Sequence, residues 1–362
     1  MIQEIEYSAF SLKLHDTAAR HNIPLDGVIA LTSHCNLKCR HCYIRDNSAN
    51  NELTTNEVFR IIDEITDAGC VNLLLTGGEP LLRPDFRGIY AYARKRGLIV
   101  SLFTNGTLMD RDTVLLLKEL LPFSVEITLY GASPKTYEAF TGTQGTYDSC
   151  MSGINLLVEH GIPLTLKTMV TTINRHELSE MKAFAESLGL DFRYGLAILP
   201  HVNGSISPYD IRISPDETIA LEFADTDRSR EWSHLYEKYN TPASTERLFN
   251  CGAGRNCFSI TPQGRLRVCD IVPEPDLCLR THRFIDGFRM FGQIMARKLR
   301  GSENCAGCEN ITFCDSCPGI SLLEGNRGGE RPVSYHCEIA RKRAEHLTEE
   351  VRYAKEKALQ KA

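Results

Sequence analysis

The distribution of cysteine constrains this chain more than any other feature. Fourteen cysteines are present, three of them between positions 35 and 42 and nine between 251 and 337. The N-terminal stretch carries acidic residues early and lacks a long apolar run, so it does not predict a secretion signal. We therefore expect a cytoplasmic protein whose thiols stay reduced. Clustered reduced thiols are soft metal ligands, which predicts metal centres rather than disulfides.

Charge and composition argue against several classes of protein. The 41 basic and 46 acidic residues give a net charge of −5, whereas a nucleic-acid binder shows a basic excess. No apolar run reaches the roughly 18 residues of a membrane span. Apolar residues make up 42% of the chain and charged residues 24%, which is enough to build a globular core. We expect a globular chain with neither a nucleic-acid nor a membrane partner.

Residues 28–200 alternate strand-like and helix-like segments. Six short apolar or β-branched runs are typical of buried parallel strands: VIALT (28–32), VNLLLT (71–76), LIVSLFT (98–104), SVEITLY (124–130), PLTLKTMV (163–170) and FRYGLAI (192–198). Helical patterns separate them, and Thr54 followed by Glu57 predicts a capping box at one helix start. A complete eight-fold barrel needs about 250 residues, and these six units occupy about 170. The sequence therefore predicts an α/β fold with a partial, open (β/α)6 barrel of the TIM type.

The pattern changes after residue 200, which sets the expected domain boundaries. Ser214 followed by Pro215 predicts a helix start with Ser214 as the N-cap. The stretch 258–268 predicts a hairpin that turns at 262–264. We expect five segments: an N-terminal extension (1–25), the partial barrel (26–200), a linker or bridging segment (201–250), a cysteine-rich domain (251–341) and a C-terminal helix (342–362).

Cys35, Cys39 and Cys42 form a C-x3-C-x2-C group directly after the first expected strand. A fully ligated four-iron cluster uses four cysteines, so three would leave one iron without a protein ligand. Such an iron can bind a small molecule, by the logic of an open catalytic metal position. Loops that follow barrel strands lie at the C-terminal face, where barrel enzymes do their chemistry. The alternative is a structural zinc site with His41 or His34 as the fourth ligand.

Together with further motifs, this group resembles the radical S-adenosylmethionine (SAM) superfamily over residues 26–200. The motifs are Thr76-Gly77-Gly78-Glu79-Pro80 after the second expected strand, Thr104-Asn105-Gly106 after the third, and Thr128 in the fourth. Two glycines allow a close backbone approach, and a glutamate can accept hydrogen bonds from an ammonium group. The resemblance implies that Glu79 binds the amino group of SAM. The implied cofactor contacts are His41, Gly77, Gly78, Glu79, Thr104, Asn105 and Thr128.

Two positions depart from the pattern of that family. His41 stands before the last cysteine of the group, where relatives usually carry an aromatic residue near adenine. Its planar ring can also stack. Tyr130 stands where many relatives carry an aspartate. The resemblance therefore leaves the ribose and carboxylate contacts of SAM unassigned.

The C-terminal cysteines resemble a SPASM auxiliary-cluster domain, and eight of them suffice for two four-cysteine clusters. The alternative is a zinc ribbon, which separates its C-x2-C pairs by about 15–20 residues, whereas five residues separate them here. The resemblance implies a first auxiliary cluster on Cys251, Cys257, Cys269 and Cys317, and a second on Cys305, Cys308, Cys314 and Cys337. An exchange of Cys314 and Cys317 between the two clusters stays open.

The resemblance also implies a chemistry. Members of the family bind SAM at the open iron and cleave it with one electron, which yields a 5′-deoxyadenosyl radical that abstracts hydrogen from a substrate. The implied cofactors are SAM and three [4Fe–4S] clusters, one that binds SAM and two auxiliary ones. We expect an oxidoreductase that matures a ribosomally made peptide or protein. The alternative substrate is a small molecule: a tetrapyrrole, a sugar or an amino-acid derivative.

The remaining expectations concern partner proteins and a catalytic proton acceptor. An external donor of the flavodoxin or ferredoxin type would supply electrons. Only residues 1–25 precede the first expected strand, so we expect a separate peptide-chaperone protein to supply recognition. Asp210 and Tyr209, in the loop after the sixth expected strand, are candidate catalytic residues.

Two other classes of protein are alternatives to a radical SAM enzyme. A multi-cluster electron-transfer protein would suit the number of cysteines, but it has no use for an iron without a protein ligand. A zinc-binding interaction module would contain zinc in place of iron and sulfide.

Overall fold

The computed structural model describes residues 6–44, 46–47, 50–238, 251–296, 305, 308–324 and 333–359. The chain divides into two compact units. The first contains residues 1–211 and 251–297, and the second contains residues 212–250 and 298–362. The first unit therefore takes in the expected barrel together with the start of the cysteine-rich segment.

One nine-stranded sheet forms the centre of the first unit. Its strands are β1 (Asp26–Ala30), β2 (Asn72–Thr76), β3 (Ile99–Thr104), β4 (Ser124–Thr128), β5 (Leu164–Met169), β6 (Asp191–Gly195), β7 (Cys257–Ile260), β8 (Arg265–Cys269) and β9 (Val272–Cys278). They lie in the order β6-β5-β4-β3-β2-β1-β7-β8-β9. Strands β1 to β6 pair in parallel in sequence order. The expected α/β partial barrel with six parallel strands is confirmed.

Strand β7 extends the parallel sheet beyond β1. The two strands pair in parallel, with Gly27 opposite Phe258. A Cβ on Gly27 would lie 2.5 Å from the Phe258 ring, so a glycine is needed where that ring packs. Strands β7 and β8 form the predicted hairpin, and Gly264 adopts φ +76° in its turn. Cys257 and Cys269, at the ends of this hairpin, thereby stand on the same sheet as the barrel strands.

The helices follow the strands in a regular alternation up to residue 195. In chain order they are α1 (Tyr7–His21), α2 (Thr55–Asp67), α3 (Phe86–Lys95), α4 (Arg111–Glu119), α5 (Pro134–Thr141), α6 (Thr146–Glu159), α7 (Leu178–Ser187), α8 (Pro215–Ala224), α9 (Thr226–Lys238), α10 (Phe284–Ala296), α11 (Pro318–Leu323) and α12 (Ser334–Leu359). Helices α8, α9, α11 and α12 belong to the second unit. Within the described residues, none of the helices is both long and apolar enough to cross a bilayer.

Helix α2 shows how the local sequence sets an element. The Thr54 hydroxyl accepts a hydrogen bond from the Glu57 N–H (3.3 Å), and the Glu57 carboxylate accepts one from the Thr54 N–H (2.8 Å). Such a cap contributes about 1 kcal/mol. Val58, Ile61 and Ile65 recur at three- and four-residue spacing and are buried in the core. The predicted capping box is confirmed.

In the second unit, Ser214 caps α8 as predicted. Residues 226–238, which the sequence placed in a linker, form helix α9. The rest of that expected linker, residues 239–250, lies outside the described residues. Helix α12 begins at Ser334, eight residues before the expected C-terminal helix, and Ile339 and Ala340 in this additional stretch are buried.

Arg343 on α12 is the largest fully buried side chain of the second unit. Its guanidinium donates to both carboxylate oxygens of Glu222 at 2.8 Å and to Asp315 at 2.9 Å. The Trp232 ring centroid lies 3.9 Å from the guanidinium carbon. A buried arginine has to stay paired, so this network ties α8, α9 and α12 to the cysteine-bearing segment around Asp315.

Candidate iron–sulfur and cofactor site

Cys35, Cys39 and Cys42, the cysteine triplet, lie in the loop that leaves the carboxyl end of β1. The N–H groups of Lys38 and Arg40 donate to carbonyl groups at the end of α5, at 2.8 and 3.1 Å. The Cys42 N–H donates to the Cys39 carbonyl at 3.1 Å, which closes a turn inside the triplet. The triplet is therefore a local turn that the rest of the barrel holds from outside.

The Gly77-Gly78 pair after β2 lies directly against the backbone that leads into the triplet. The Gly78 N–H donates to the Thr32 carbonyl at 2.7 Å, and the next N–H along the chain donates to the His34 carbonyl at 2.8 Å. A Cβ on Gly77 would lie 2.5 Å from the Thr32 oxygen, and one on Gly78 would lie 2.2 Å from the His34 oxygen. These glycines therefore position the triplet loop. Their expected contact with a cofactor stays a prediction.

The Glu79 side chain is fully buried and accepts three hydrogen bonds from the chain. Thr104 Oγ1 (2.8 Å) and the Leu81 N–H (3.0 Å) donate to Oε1, and the Asn105 N–H (2.7 Å) donates to Oε2. Burial raises the pKa of this carboxyl to about 7, although the three donors oppose the rise. A carboxylate offers about four acceptor positions, so one is left for the ammonium group expected from the sequence. In the structure, the Glu79 carboxylate joins the turn after β2 to the end of β3 through its hydrogen bonds with Thr104 and Asn105.

Asn105, directly after β3, is hydrogen-bonded to the triplet loop. Its Nδ2 donates to Asn36 Oδ1 at 2.9 Å and lies 3.9 Å from Cys35 Sγ. Its Oδ1 accepts from the Thr107 N–H (2.9 Å) and hydroxyl (2.6 Å). The Leu37 N–H donates to the same Cys35 sulfur at 3.4 Å. Two N–H groups are thus aimed at a sulfur that, as an iron ligand, would be a thiolate.

The three thiols of the triplet lie close enough to influence one another. Burial raises the pKa of Cys35 to about 11, and it raises the pKa of Cys39 further still, with the neighbouring thiols adding to both shifts. A site of this kind holds protons, which a metal replaces when it binds the thiolates. Sulfur donors are the ligands of iron–sulfur clusters. The donor set therefore fits the cluster that the sequence implies.

His41 packs into an aromatic cluster with Tyr130 and Phe140, at ring centroid distances of 5.2 and 5.0 Å. Burial lowers the pKa of His41 to about 4, so the ring is neutral at pH 7. The Tyr130 hydroxyl lies 3.5 Å from His41 Nε2. Tyr130, which replaces the aspartate of many relatives, therefore contacts the triplet.

Tyr43 and Asp270 are site residues that sequence reasoning missed. Burial raises the pKa of Tyr43, and the nearby Asp270, Cys269 and Cys42 add to the shift. Asp270 accepts a hydrogen bond from Ser259, and burial raises its pKa as well. Tyr43 directly follows the triplet, and Asp270 directly follows β8. Neither residue belongs to a motif, so only the tertiary structure places the two near each other.

The two candidate catalytic residues after β6 lie in a short 3-10 helix, Ser207–Ile211. Asp210 is exposed there and Tyr209 is half-buried. The Val202 N–H donates to the Tyr43 carbonyl at 2.8 Å, so this loop contacts the segment that follows the triplet. The catalytic role of both residues stays a prediction.

Cys251, Cys257 and Cys269 come together in the first unit. Burial raises the pKa of Cys257 to about 12, with contributions from Asp26 and then from the other two cysteines. Cys257 Sγ lies 3.7 Å from Asp26 Oδ2, and His15 Nε2 lies 3.1 Å from the same oxygen. These three cysteines are the ones implied for the first auxiliary cluster within this unit.

Cys305, Cys308, Cys314 and Cys337 come together in the second unit. Burial, followed by the charges of its neighbours, raises the pKa of Cys314 to about 11, and Cys305 and Cys308 act in the same sense on Cys337. This is the ligand set implied for the second auxiliary cluster. Cys317 directly precedes α11, and its assignment to the first auxiliary cluster stays a prediction. In the part of the chain that is described, no three His, Cys, Asp or Glu side chains are arranged around a single metal ion.

The sequence of this chain is similar to those of several characterised proteins. An AdoMet-dependent heme synthase of Methanosarcina barkeri (strain Fusaro / DSM 804) is 32% identical over 210 residues, which cover 58% of this chain and 57% of that protein. The antilisterial bacteriocin subtilosin biosynthesis protein AlbA of Bacillus subtilis (strain 168) is 27% identical over 336 residues, covering 84% and 72%.

The fold also matches a solved structure. Streptococcus suis SuiB bound to S-adenosylmethionine has a TM-score of 0.70 at 18% identity, covering 93% of this chain and 84% of that one. SuiB bound to the precursor peptide SuiA has a TM-score of 0.66 at 17% identity, covering 91% and 80%. At these identities the likeness shows the fold alone.

The fold and the site define a partial-barrel protein with a cysteine triplet that fits an iron–sulfur cluster. Residues 29–187 match the family model of the radical SAM superfamily. This part of the chain is a radical SAM domain. The chain spans 57% of the length of the heme synthase and smaller shares of several other relatives.

Proposed function

We propose that this chain is a radical SAM oxidoreductase that modifies a ribosomally made peptide or protein. The observation that carries the proposal is the cysteine triplet at the carboxyl end of β1, locked in place by the Gly77-Gly78 backbone. When bound there, an iron–sulfur cluster and SAM supply radical chemistry through one-electron cleavage of SAM. Protein residues position such cofactors and exclude competing reactions.

The chain's own residues have distinct tasks in this proposal. Gly77 and Gly78 bring the turn after β2 against the triplet loop. Glu79 ties that turn to the end of β3, so three strand ends keep one geometry. Tyr130 and Phe140, both buried, stack at 4.4 Å beside Cys39 and keep water away from that part of the triplet.

The two C-terminal cysteine groups would hold auxiliary clusters. Cys251, Cys257, Cys269 and Cys317 form one proposed ligand set, and Cys305, Cys308, Cys314 and Cys337 form the other. Auxiliary clusters would take up electrons from the oxidised substrate or relay them inward. A flavodoxin- or ferredoxin-type donor would supply the electron that starts each turnover, and a separate chaperone protein would present the peptide.

Two relatives support a peptide substrate. AlbA, whose match covers 84% of this chain, is named for the biosynthesis of the bacteriocin subtilosin. SuiB, which shares the fold, has been solved with a precursor peptide bound. A peptide or protein substrate is therefore the first choice.

The activity can be tested by anaerobic reconstitution with iron and sulfide. Three four-iron clusters predict about twelve irons per chain. The triple variant with Cys35, Cys39 and Cys42 each replaced by alanine should lose about four of them and all reductive SAM cleavage. A matched control replaces Cys150, a buried cysteine outside the three sets, by alanine. Full SAM cleavage by the triple variant would refute the proposal.

A tetrapyrrole substrate is the second candidate. The support is the heme synthase, which is 32% identical over 210 residues. Candidate peptides and tetrapyrroles deuterated at reactive positions should be compared, and deuterium in 5′-deoxyadenosine measured by mass spectrometry. Transfer from a tetrapyrrole and from no peptide would favour the second candidate. A cluster whose electron paramagnetic resonance spectrum ignores SAM would favour an electron carrier.

A further inference from the structure

We propose that Lys167 and Arg193 bind a carboxylate group of the substrate on one face of the barrel sheet. The inference deepens the proposed function and rests on it, because it names a chemical group that the substrate has to carry. Acidic side chains of a peptide and propionate groups of a tetrapyrrole both supply a carboxylate, so both candidate substrates contain it.

Five side chains of neighbouring strands share one face of the barrel sheet, here called the inner face. In a strand every second side chain points to the same side, and directly paired residues of adjacent strands share that side. Strand register places Phe103 opposite Glu126 and Lys167 opposite Arg193. From β3 to β6, the inner face carries Ser101, Phe103, Glu126, Lys167 and Arg193.

The inner face is more exposed than the opposite face of the same strands. On the opposite face Leu102, Val125, Ile127 and Leu166 are fully buried, as expected on the side that the barrel helices cover. On the inner face, four of the five side chains are half-buried and Arg193 is exposed. The inner face is therefore accessible to a ligand from solvent.

Two cations and one carboxylate meet on the inner face. Lys167 Nζ donates to Glu126 Oε2 at 3.0 Å, and Arg193 Nη1 lies 3.9 Å from Glu126 Oε1. The Lys167 ammonium also lies 3.0 Å from the centroid of the Phe103 ring, a cation–π contact that holds it in place. Among the described residues, the exposed Asp191 forms no ion pair with either cation. This cluster therefore has one more positive charge than Glu126 balances.

The hydrogen-bond donors of both cations are only partly used. An ammonium group has three N–H donors and a guanidinium group has five. In the part of the chain that the structure describes, Lys167 has one hydrogen-bond partner, and Arg193, whose side chain is 68% exposed, approaches Glu126 alone. Charge-assisted hydrogen bonds from such groups to a carboxylate are about twice as strong as neutral ones. A carboxylate ligand would supply both the missing charge and the missing acceptors.

Folding alone does not require these charges. The side chains of Lys167 and Glu126 are only 24% and 15% exposed, so folding removes most of their hydration. Replacing such a pair by apolar residues of similar volume is often neutral or stabilising. Polar groups that converge on an accessible, partly apolar surface are instead typical of ligand sites.

The cluster lies near the carboxyl edge of the sheet, where barrel enzymes carry out their reactions. Lys167 pairs with Thr128, the last residue of β4. Two residues further along the chain, the Tyr130 ring packs against His41, which belongs to the triplet loop. A carboxylate bound by Lys167 would therefore anchor the substrate on the same edge as the triplet. Anchoring of this kind orients the reacting atoms.

The test is calorimetric titration of the anaerobically reconstituted full chain with SAM present. Two pairs of probes differ only in their carboxylates: the acetylated amide of glutamate against that of glutamine, and a porphyrin with four propionates against its tetramethyl ester. We expect an acid probe to bind about tenfold or more tightly than its neutral partner. The pair that shows this preference identifies the source of the carboxylate, a peptide or a tetrapyrrole. If neither acid probe binds more tightly than its neutral partner, the inference is overturned.

Variants assign the preference to the inner face. Lys167→Gln and Arg193→Gln should each weaken binding of the acid probe about tenfold or more, the effect of one charge-assisted hydrogen bond, and leave binding of the neutral probe unchanged. Lys118→Gln and Arg111→Gln are matched controls, because they remove the same charges from exposed positions on α4. Equal weakening in the controls overturns the inference, since general attraction between charges would explain it. Arg193→Gln alters an exposed side chain, so it decides the matter if Lys167→Gln fails to fold.

SAM itself contains a carboxylate, so its binding is measured in the same way without a probe. Lys167→Gln and Arg193→Gln should bind SAM within about twofold of the wild type, well below the effect of a lost charge-assisted hydrogen bond. A tenfold loss of SAM binding overturns the inference, because the cations would then serve the cofactor. A wild-type chain that prefers the acid probe but does not cleave SAM refutes the proposed function alone and supports the carboxylate site.

Discussion

The variant Gly78→Ala tests whether the turn after β2 positions the cysteine triplet. The added methyl carbon would lie 2.2 Å from the His34 carbonyl oxygen and 2.6 Å from its carbon. Atoms in contact prefer separations of about 3.5–4.0 Å, so the two backbone segments have to part by more than about 1 Å. That separation breaks the hydrogen bonds at 2.7 and 2.8 Å to the Thr32 and His34 carbonyls.

The magnitude follows from these two bonds. Each buried N–H that loses its partner costs about 1–3 kcal/mol, which predicts a loss of about 2–6 kcal/mol in the free energy of unfolding. The triplet loop would also lose its anchor on β2. We therefore expect the variant to bind about four fewer irons per chain after anaerobic reconstitution, the content of one cluster.

The measurements are denaturant unfolding of the metal-free chain and iron analysis of the reconstituted chain. Gly88→Ala is the matched control, because Gly88 is exposed on α3 and no heavy atom lies within 4 Å of its added carbon. Alanine is the better helix former by up to about 1 kcal/mol, so the control should be as stable as the wild type or slightly more stable. If Gly78→Ala matched Gly88→Ala in both stability and iron content, the positioning role of Gly78 would be wrong.

Three further predictions follow from the packing and the charges. Burial raises the pKa of Glu79 from 4.5 to about 7. Between these pH values the folded chain therefore binds more protons than the unfolded chain. The free energy of unfolding should fall as the pH rises from about 5 to 8. Glu79→Gln cannot ionise and should lose this part of the pH dependence, and equal slopes for both proteins would contradict it. Arg343→Met leaves the buried Glu222 with only the more distant Arg228, at 3.8 Å, and should lower the free energy of unfolding by about 3 kcal/mol. Arg341→Met, which removes a half-exposed pair with Glu345, should lower it by at most about 1 kcal/mol. Similar losses in thermal unfolding would refute the buried network. Gly27→Ala should lower the free energy of unfolding by about 1–3 kcal/mol, because its added carbon would lie 2.5 Å from the Phe258 ring. Adding Phe258→Leu, a smaller side chain, to the same protein should restore part of this loss. Strictly additive losses in denaturant unfolding would show that the Phe258 ring does not obstruct the added carbon.

The partial barrel could be predicted because its signals are local. Each of the six predicted strands is observed within four residues of its predicted ends, since short apolar runs between helical patterns are the mark of buried parallel strands. Capping boxes at Thr54 and Ser214 were legible for the same reason, because a cap involves residues only three positions apart. Helix α9 was missed, because its sequence is mostly polar, and the packing of Trp232 and Tyr236 on the cluster around Phe313 is visible only in the tertiary structure.

The three cysteines of the triplet could likewise be identified as candidate ligands, because residue type and spacing within eight positions distinguish them. The sequence did not reveal how Glu79 is used. Its three donors come from Leu81, Thr104 and Asn105, and two of these meet it only because β3 lies beside β2. Burial by that neighbouring strand then raises the pKa of the carboxyl, which no local pattern could indicate.

By itself the sequence indicated the candidate thiol ligands, the order of the barrel strands and the helix caps at Thr54 and Ser214, since each depends on residues that are near one another in the chain. The tertiary structure decided that β7 joins the sheet at β1 and that the Tyr130 ring packs against His41. These contacts join residues 89 to 231 positions apart. Their formation depends on strand register and side-chain packing over the whole unit, and spacing along the chain carries no record of either.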